Sequence, residues 1–209
     1  MKTTFILSII GLLTLISCES KDHCTPRSGD LVFQLSSDSE MSGAITAATA
    51  QGDSISYDHV GIVCMEGSKT FVIEAAPKHG VVLTEWETFI QQADGMVMRL
   101  RQPFDVEATI TRAKSHLGEP YDWWYLPDNG KMYCSELVYE SYLNEDGTPL
   151  FTARPMNFRN AIGEIPSFWV ELFDRIGEPI PEGVPGTNPN DMARKASLEI
   201  VYQYIKTKE

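Results

Sequence analysis

Two β-rich runs, residues 58–65 (Asp-His-Val-Gly-Ile-Val-Cys-Met) and 70–76 (Thr-Phe-Val-Ile-Glu-Ala-Ala), are separated only by the turn Glu66-Gly67-Ser68-Lys69. A parallel pair would need a crossover of a dozen residues or more, so runs joined this closely read as an antiparallel hairpin. Side chains alternate across a strand, so His59, Gly61 and Val63 share one face of the first run, and Val72, Glu74 and Ala76 share one face of the second. A register that sets His59 and Glu74 on the same face of adjacent strands is therefore available.

The remaining patterns fill in around this hairpin. Gly29-Asp30 turns into a short strand, Leu31 to Leu35, and the small, alanine-rich stretch 39–50 predicts a helix. Pro77-Lys78-His79-Gly80 turns into a strand over Val81-Val82-Leu83. Thr84-Glu85-Trp86-Glu87 has the form of a capping box opening a helix through Phe89 and Ile90. Residues 96–101 alternate like a half-buried strand. Asp105 can cap a helix whose stripe is Val106, Ile110, Ala113 and Leu117, stopped by Gly118 and Pro120. Pro166 at a first helical position introduces a helix through Ile176, with Gly177 as its stop. The Pro- and Gly-rich stretch 179–190 should cross the surface as a loop, and Leu198, Ile200, Tyr202 and Tyr204 alternate as a last strand. Strands and helices segregate, which favours α+β with an antiparallel sheet.

Between these lies Lys131-Met132-Tyr133-Cys134-Ser135-Glu136-Leu137-Val138-Tyr139-Glu140. Cys134, Leu137, Val138, Ser141 and Tyr142 recur at i, i+3, i+4, i+7 and i+8, the spacing of one helix face, and that face turns to the core. The turn formers Pro127-Asp128-Asn129-Gly130 place Cys134 in the first helical turn. Free N–H groups and the positive end of the helix dipole favour thiolate there, which makes the sulfur a candidate nucleophile.

A nucleophilic sulfur needs a base, and a base of the imidazole type needs an orienting group. Cys134 as attacker, His59 as base and Glu74 as third member supply that set. The other histidines have ordinary settings: His23 in a polar stretch, His79 in a turn and His116 near a helix C-terminus. No C-x-x-C, H-E-x-x-H, Walker loop or G-x-S-x-G occurs, so no metal and no cofactor is expected.

Charge and the N-terminus narrow the setting. Acidic residues outnumber basic ones, 29 to 17, which argues against nucleic acid and against electrostatic docking on anionic lipid. Lys2, the apolar run Phe5 to Ile16 and Ser17-Cys18 describe a secretory signal peptide over residues 1–17. Residues 18–28 follow as a tether, and residues 29–209 form one domain. Four cysteines are too few and too scattered for a disulfide scaffold, although a Cys24–Cys64 bridge stays open. Oligomeric state is not legible.

Leu15-Ile16-Ser17-Cys18 resembles a bacterial lipobox, which implies Cys18 as a lipid anchor in the cell envelope. Leu117-Gly118-Glu119-Pro120-Tyr121-Asp122-Trp123 and Tyr133-Cys134-Ser135-Glu136-Leu137-Val138 resemble the nucleophile region of NlpC-type papain-like cell-wall peptidases. Gly29 to Phe33, His59-Val60-Gly61-Ile62-Val63 and Val72-Ile73-Glu74-Ala75 resemble blocks that follow the cysteine in those enzymes. Here they precede it. That order, together with Gly183 to Pro189, is similar to the YiiX/YaeF-type permuted papain-like amidases. The resemblance implies a circularly permuted papain-like fold with an antiparallel sheet packed against the nucleophile helix.

It also implies Cys134, His59 and Glu74 as catalytic residues, glutamate standing where unpermuted enzymes usually carry histidine. Tyr121 matches a tyrosine whose hydroxyl lies at the oxyanion site. The expected activity is hydrolysis of an amide in peptide or cell-wall-derived material through a thioester acyl-enzyme. Two other readings use the same residues. One is an acyl-lipid or thioester hydrolase or acyltransferase, and the other is a binding lipoprotein without catalysis.

Overall fold

The computed structural model describes residues 25–206. The signal peptide, the Cys18 anchor, His23 and Cys24 lie outside the described residues, and the question of a Cys24–Cys64 bridge lies there with them.

Among the described residues, eight strands and six helices make an α+β domain. Five long strands, β1 (Leu31–Leu35), β2 (Tyr57–Glu66), β3 (Lys69–Ala76), β4 (Gly80–Glu85) and β5 (Gly95–Leu100), are joined by the last, β8 (Leu198–Tyr204). They form one antiparallel sheet in the order β4-β3-β2-β1-β5-β8. The expected hairpin is β2–β3, closed by Gly67 and Ser68 with Glu66 opposite Lys69. That ladder ends at Ile62–Ile73. Beyond it the N-terminal half of β2 remains paired with β1, and Glu74 to Ala76 remain paired with β4. His59 and Glu74 lie just past the last shared rung.

The sheet is covered on both faces. Leu31, Phe33, Val60, Ile62, Ile73 and Met96 join the main core. α1 (Glu40–Thr49), α3 (Val106–Ser115), α4 (Cys134–Ser141), α5 (Ser167–Ile176) and α6 (Pro189–Ala193) surround that core, with α4 packed on β2 and β3. Val32, Val63, Val72, Val97 and Tyr204 build a second cluster around Phe89 of the short helix α2 (Trp86–Ile90). This double cover corrects the expectation for residues 96–101: β5 is buried on both faces, because α2 and β8 close the side that alternation assigned to water. Among the described residues no helix is long and apolar enough to cross a membrane.

α4 forms where the cysteine stretch predicts it. Leu137, Val138, Ser141 and Tyr142 face the core, and burying side chains of the size of leucine or valine contributes roughly 1.5–3 kcal/mol each. The Tyr142 hydroxyl donates to the Gly29 carbonyl at 2.9 Å, tying α4 to the start of β1.

Other boundaries move. Pro166 is the residue before α5 rather than its first, with ψ at 143°. α3 stops at Ser115, capped by Asp105 at its start, so Leu117 leaves the predicted stripe and is exposed. The stretch 179–190 is no plain loop. β7 (Pro185–Gly186) pairs with β6 (Arg154–Pro155), and α6 begins within it. Buried Asn190 accepts from the Tyr57 N–H at 2.8 Å and donates to the Tyr57 carbonyl at 3.0 Å, clamping α6 onto the start of β2.

Candidate active site

Cys134 is the first residue of α4, so its N–H has no acceptor within the helix. The Tyr133 N–H, one residue earlier, donates to Glu136 Oε2 at 3.4 Å. Burial first, and then the charge of Asp122, push Glu136 up to about 8. Near pH 7 it is largely protonated, which keeps a second negative charge out of the turn that holds the sulfur.

The His59 ring joins the two other groups. Its Nε2 is 2.6 Å from Glu74 Oε2, and the Cys134 side chain lies within electrostatic reach of the same ring. Burial alone would lower the histidine pKa. The interactions with Cys134 and Glu74 outweigh it and raise His59 from 6.5 to about 10. Burial raises the Glu74 pKa, yet the bonds from His59 and Thr84 bring it below its ordinary value. The structure joins His59 to Glu74 by a hydrogen bond and sets Cys134 within electrostatic reach of the same imidazole.

The second oxygen of Glu74 holds the main surprise. Thr84 Oγ1 donates to Glu74 Oε1 at 2.6 Å. The expected capping box at Thr84 does not form: Glu85 is the residue before α2 and makes no side-chain cap bond. Thr84 belongs to β4, where Glu74 faces Val82, so Thr84 shares the Glu74 face two residues on. Extending the predicted strand by one residue would have revealed it.

Gly61 makes the close packing around these groups tolerable. A Cβ there would lie 2.4 Å from Val72 Cγ1 and 3.6 Å from Glu74 Cβ. Gly80 plays a similar part below Tyr121. At φ 69°, a Cβ would lie 2.1 Å from the Glu119 carbonyl oxygen, which instead accepts from the Val81 N–H.

Tyr121 is buried, packs its ring tilted against that of Trp123 with centroids 4.9 Å apart, and bridges to Met132. Burial pushes its hydroxyl well above the ordinary tyrosine value, so it remains a phenol able to donate. Next to it, Asp122 is fully buried and accepts from the Trp124 and Leu126 N–H groups, each at 2.9 Å. Between them sits Tyr125 with a left-handed φ of 53°. On sequence alone Tyr125 is only one of several aromatics flanking the nucleophile. An aspartate two and four residues before the N–H groups it binds is a usable signal for such a turn.

The C-terminal stretch completes the wall. The Thr187 N–H donates to the Tyr133 hydroxyl at 3.1 Å, and its Oγ1 bonds Ser135 Oγ at 3.1 Å. Two cavities meet at this place. One, about 190 Å³, is lined by Cys134 and Ser135; the other, about 200 Å³, by His59 and Glu74; Tyr121, Asp58 and Ile45 border both.

A cysteine at a helix start facing a histidine on an antiparallel sheet, with the sheet preceding the helix in sequence, defines a permuted papain-like cysteine amidase or peptidase. The comparisons agree. Residues 25–202 match the family described as "Permuted papain-like amidase enzyme, YaeF/YiiX, C92 family", and the chain belongs to it. It is 29% identical over 160 residues to "Uncharacterized protein YiiX" of Escherichia coli K12, a match that covers 75% of this chain and 76% of that protein. The crystal structure of metalloprotein YiiX from Escherichia coli O157:H7 superposes with a TM-score of 0.70 at 28% identity. That match covers 86% of this chain and 98% of the other.

Proposed function

We propose that the chain hydrolyses an amide in peptide or cell-wall-derived material, with Cys134 as nucleophile, His59 as base and acid, and Glu74 as the group that orients the imidazole. The observation that carries this is the single ring with a carboxylate on Nε2 and the Cys134 side chain within its electrostatic reach.

The Cys134 thiol gives its proton to His59, the sulfur attacks the carbonyl carbon, and the C=O electron pair moves onto oxygen. The Cys134 N–H and the Tyr121 hydroxyl serve as donors to that oxyanion. The His59 imidazolium gives its proton to the leaving nitrogen, the C–N bond breaks, and an amine departs from a thioester. Water then loses a proton to His59 and attacks the thioester carbon. The C–S bond breaks, and acid and resting site are released.

The related Escherichia coli structure is described as that of a metalloprotein. Among the described residues here, no group of three or more His, Cys, Asp or Glu side chains is placed to hold a metal ion. No step of the mechanism passes through one.

Cys134→Ala should abolish both turnover and labelling by an electrophilic amide probe while cooperative thermal unfolding is retained; undiminished turnover would refute the mechanism. Glu74→Gln should keep part of the activity, and a rate equal to the parent would remove Glu74 from the set. The Leu15-Ile16-Ser17-Cys18 sequence supports attachment at the bacterial cell envelope through lipidated Cys18. Palmitate labelling that persists in Cys18→Ala would rule that out.

A further inference from the structure

The cavity on the Cys134 side has walls unlike those of its neighbour. Tyr125, Tyr133, Phe158 and Trp169 line it and form a continuous ring cluster with centroid separations of 5.2 Å (Tyr125–Tyr133), 5.5 Å (Tyr125–Trp169) and 5.1 Å (Phe158–Trp169). The cavity on the His59 side has no such cluster and is bordered by Gln34, Ser42 and Gln92 together with Met41, Ala76 and Pro77. In acyl transfer from an amide, the leaving nitrogen must lie against the imidazole that protonates it, and the acyl substituent lies on the sulfur side, away from that ring. The aromatic chamber is therefore the acyl side and the His59-side cavity the amine side.

Two buried donors in the aromatic walls have no hydrogen-bond partner among the described residues: the Tyr125 hydroxyl and the Trp169 indole Nε1. Tyr125 is 8% exposed and Trp169 is 3% exposed. Buried polar groups are nearly always paired, and one left alone is destabilising, so two in one chamber call for an acceptor brought from outside. The placement of Tyr125 adds a second observation. A bulky residue at φ 53° is strained, and the buried Asp122 carboxylate holds the backbone on both sides of it. The fold thus holds in place, against local preference, a ring whose hydroxyl interacts with that of Tyr121 but makes no full hydrogen bond within the fold.

We infer that the acyl half of the substrate is an N-acylated apolar aminoacyl group, its side chain among the rings and its additional carbonyl oxygen accepting from Tyr125 or Trp169. This rests on Cys134 being the attacking sulfur. An unsubstituted alkyl or arylalkyl acyl chain would fill the space and leave the buried donors unpaired, and a charged side chain placed among the rings, away from Asp58, Arg154 and Asp191 at the margins, would lose its hydration. The volume suits such a group: a cavity of roughly 150 Å³ already admits benzene, and this chamber holds about 190 Å³.

The test compares matched amides of one fluorogenic amine carrying N-acetyl-phenylalanyl, 3-phenylpropanoyl or N-acetyl-aspartyl acyl groups. The first and second differ only by the acetamido group. With the full chain, kcat/KM for the first should exceed that for each of the others by roughly tenfold or more. Tyr125→Phe keeps the ring and removes the donor, and Trp169→Phe removes the donor and leaves a smaller ring; at least one should lower kcat/KM for the first substrate by a clearly larger factor than for the second. Equal rates for all three amides, or equal losses on the first two in both variants, would overturn the assignment.

A binding arm separates this outcome from failure of the mechanism. In Cys134→Ala, calorimetry should find N-acetyl-phenylalanine amide bound about tenfold tighter than 3-phenylpropanamide. Equal affinities would sink the chamber assignment even if amides are cleaved. The expected affinities together with an unreactive Cys134 would leave it standing and remove the hydrolase.

Discussion

Thr84→Val removes one hydroxyl and keeps the branched shape of the side chain, which makes it a clean probe of how firmly Glu74 is held. The lost bond is 2.6 Å long and reaches a carboxylate that is 2% exposed. A hydrogen bond to a charged group contributes about 1.5–3 kcal/mol. Its loss should move the Glu74 pKa back up toward the ordinary carboxylate value. Glu74 is lowered from 4.5 in the fold, so its contribution to stability is present above its unfolded value and lost as pH falls through the lower folded one. In the variant the folded value returns toward the unfolded one, and the contribution near pH 7 shrinks. For a chain of this size, Tm should fall by about 3–12 °C at pH 7, and the gap to the parent should close as pH drops below about 4. Scanning calorimetry from about pH 3 to 8 measures this, while the acid limb of kcat against pH should move upward in parallel. Thr84→Ser, which restores the hydroxyl, should recover both. A valine variant with the parent's Tm and acid limb would show that the hydroxyl holds nothing in place.

The histidine titrates in the opposite sense. His59 is raised from 6.5 to about 10, so it contributes stability that is full below pH 6.5 and declines as pH rises through 10. Thermal melts of the parent should lose stability across that window, and His59→Gln should flatten the decline; an unchanged slope in the variant would mean other groups cause it. Iodoacetamide should alkylate Cys134 at about pH 6 faster than free cysteine, and comparable rates would dismiss an ion pair between sulfur and imidazolium. Gly61→Ala should cost about 1–3 kcal/mol by forcing a methyl against Val72 Cγ1. The pair Gly61→Ala with Val72→Ala should then unfold at a higher temperature than additivity predicts. Strict additivity would place the strain elsewhere.

The sequence made most of the site legible because each of its chief signals is local. Period-two alternation reveals β2 and β3, and with them the shared face of His59 and Glu74. The i, i+3, i+4 spacing beyond a turn-rich loop reveals α4 with Cys134 at its tip. Block order supplies the permuted topology. What escaped depends on contacts between segments. Thr-Glu-Trp-Glu satisfies a capping-box pattern, yet its threonine serves a carboxylate ten residues back, and a local motif carries no record of that demand. Asn190 lies in a Pro- and Gly-rich stretch that reads as loop, and its role is visible only once Tyr57 stands opposite it. Leu117 continues a helical stripe on paper, but the helix gives way at His116, where the chain turns to meet Val81.

Cys134 sits between its neighbours in the chain: His59, Glu74 and Thr84 lie before it, and Thr187, which braces the first turn of α4, lies after it. A polypeptide emerging from a ribosome therefore presents the imidazole and its carboxylate first, the thiol second and the brace last. If Cys134 and His59 act as proposed, the sulfur never leaves the tunnel ahead of the imidazole, while the chamber wall is missing until the C-terminal stretch has arrived. Assembly order alone delays a complete site until synthesis is nearly finished.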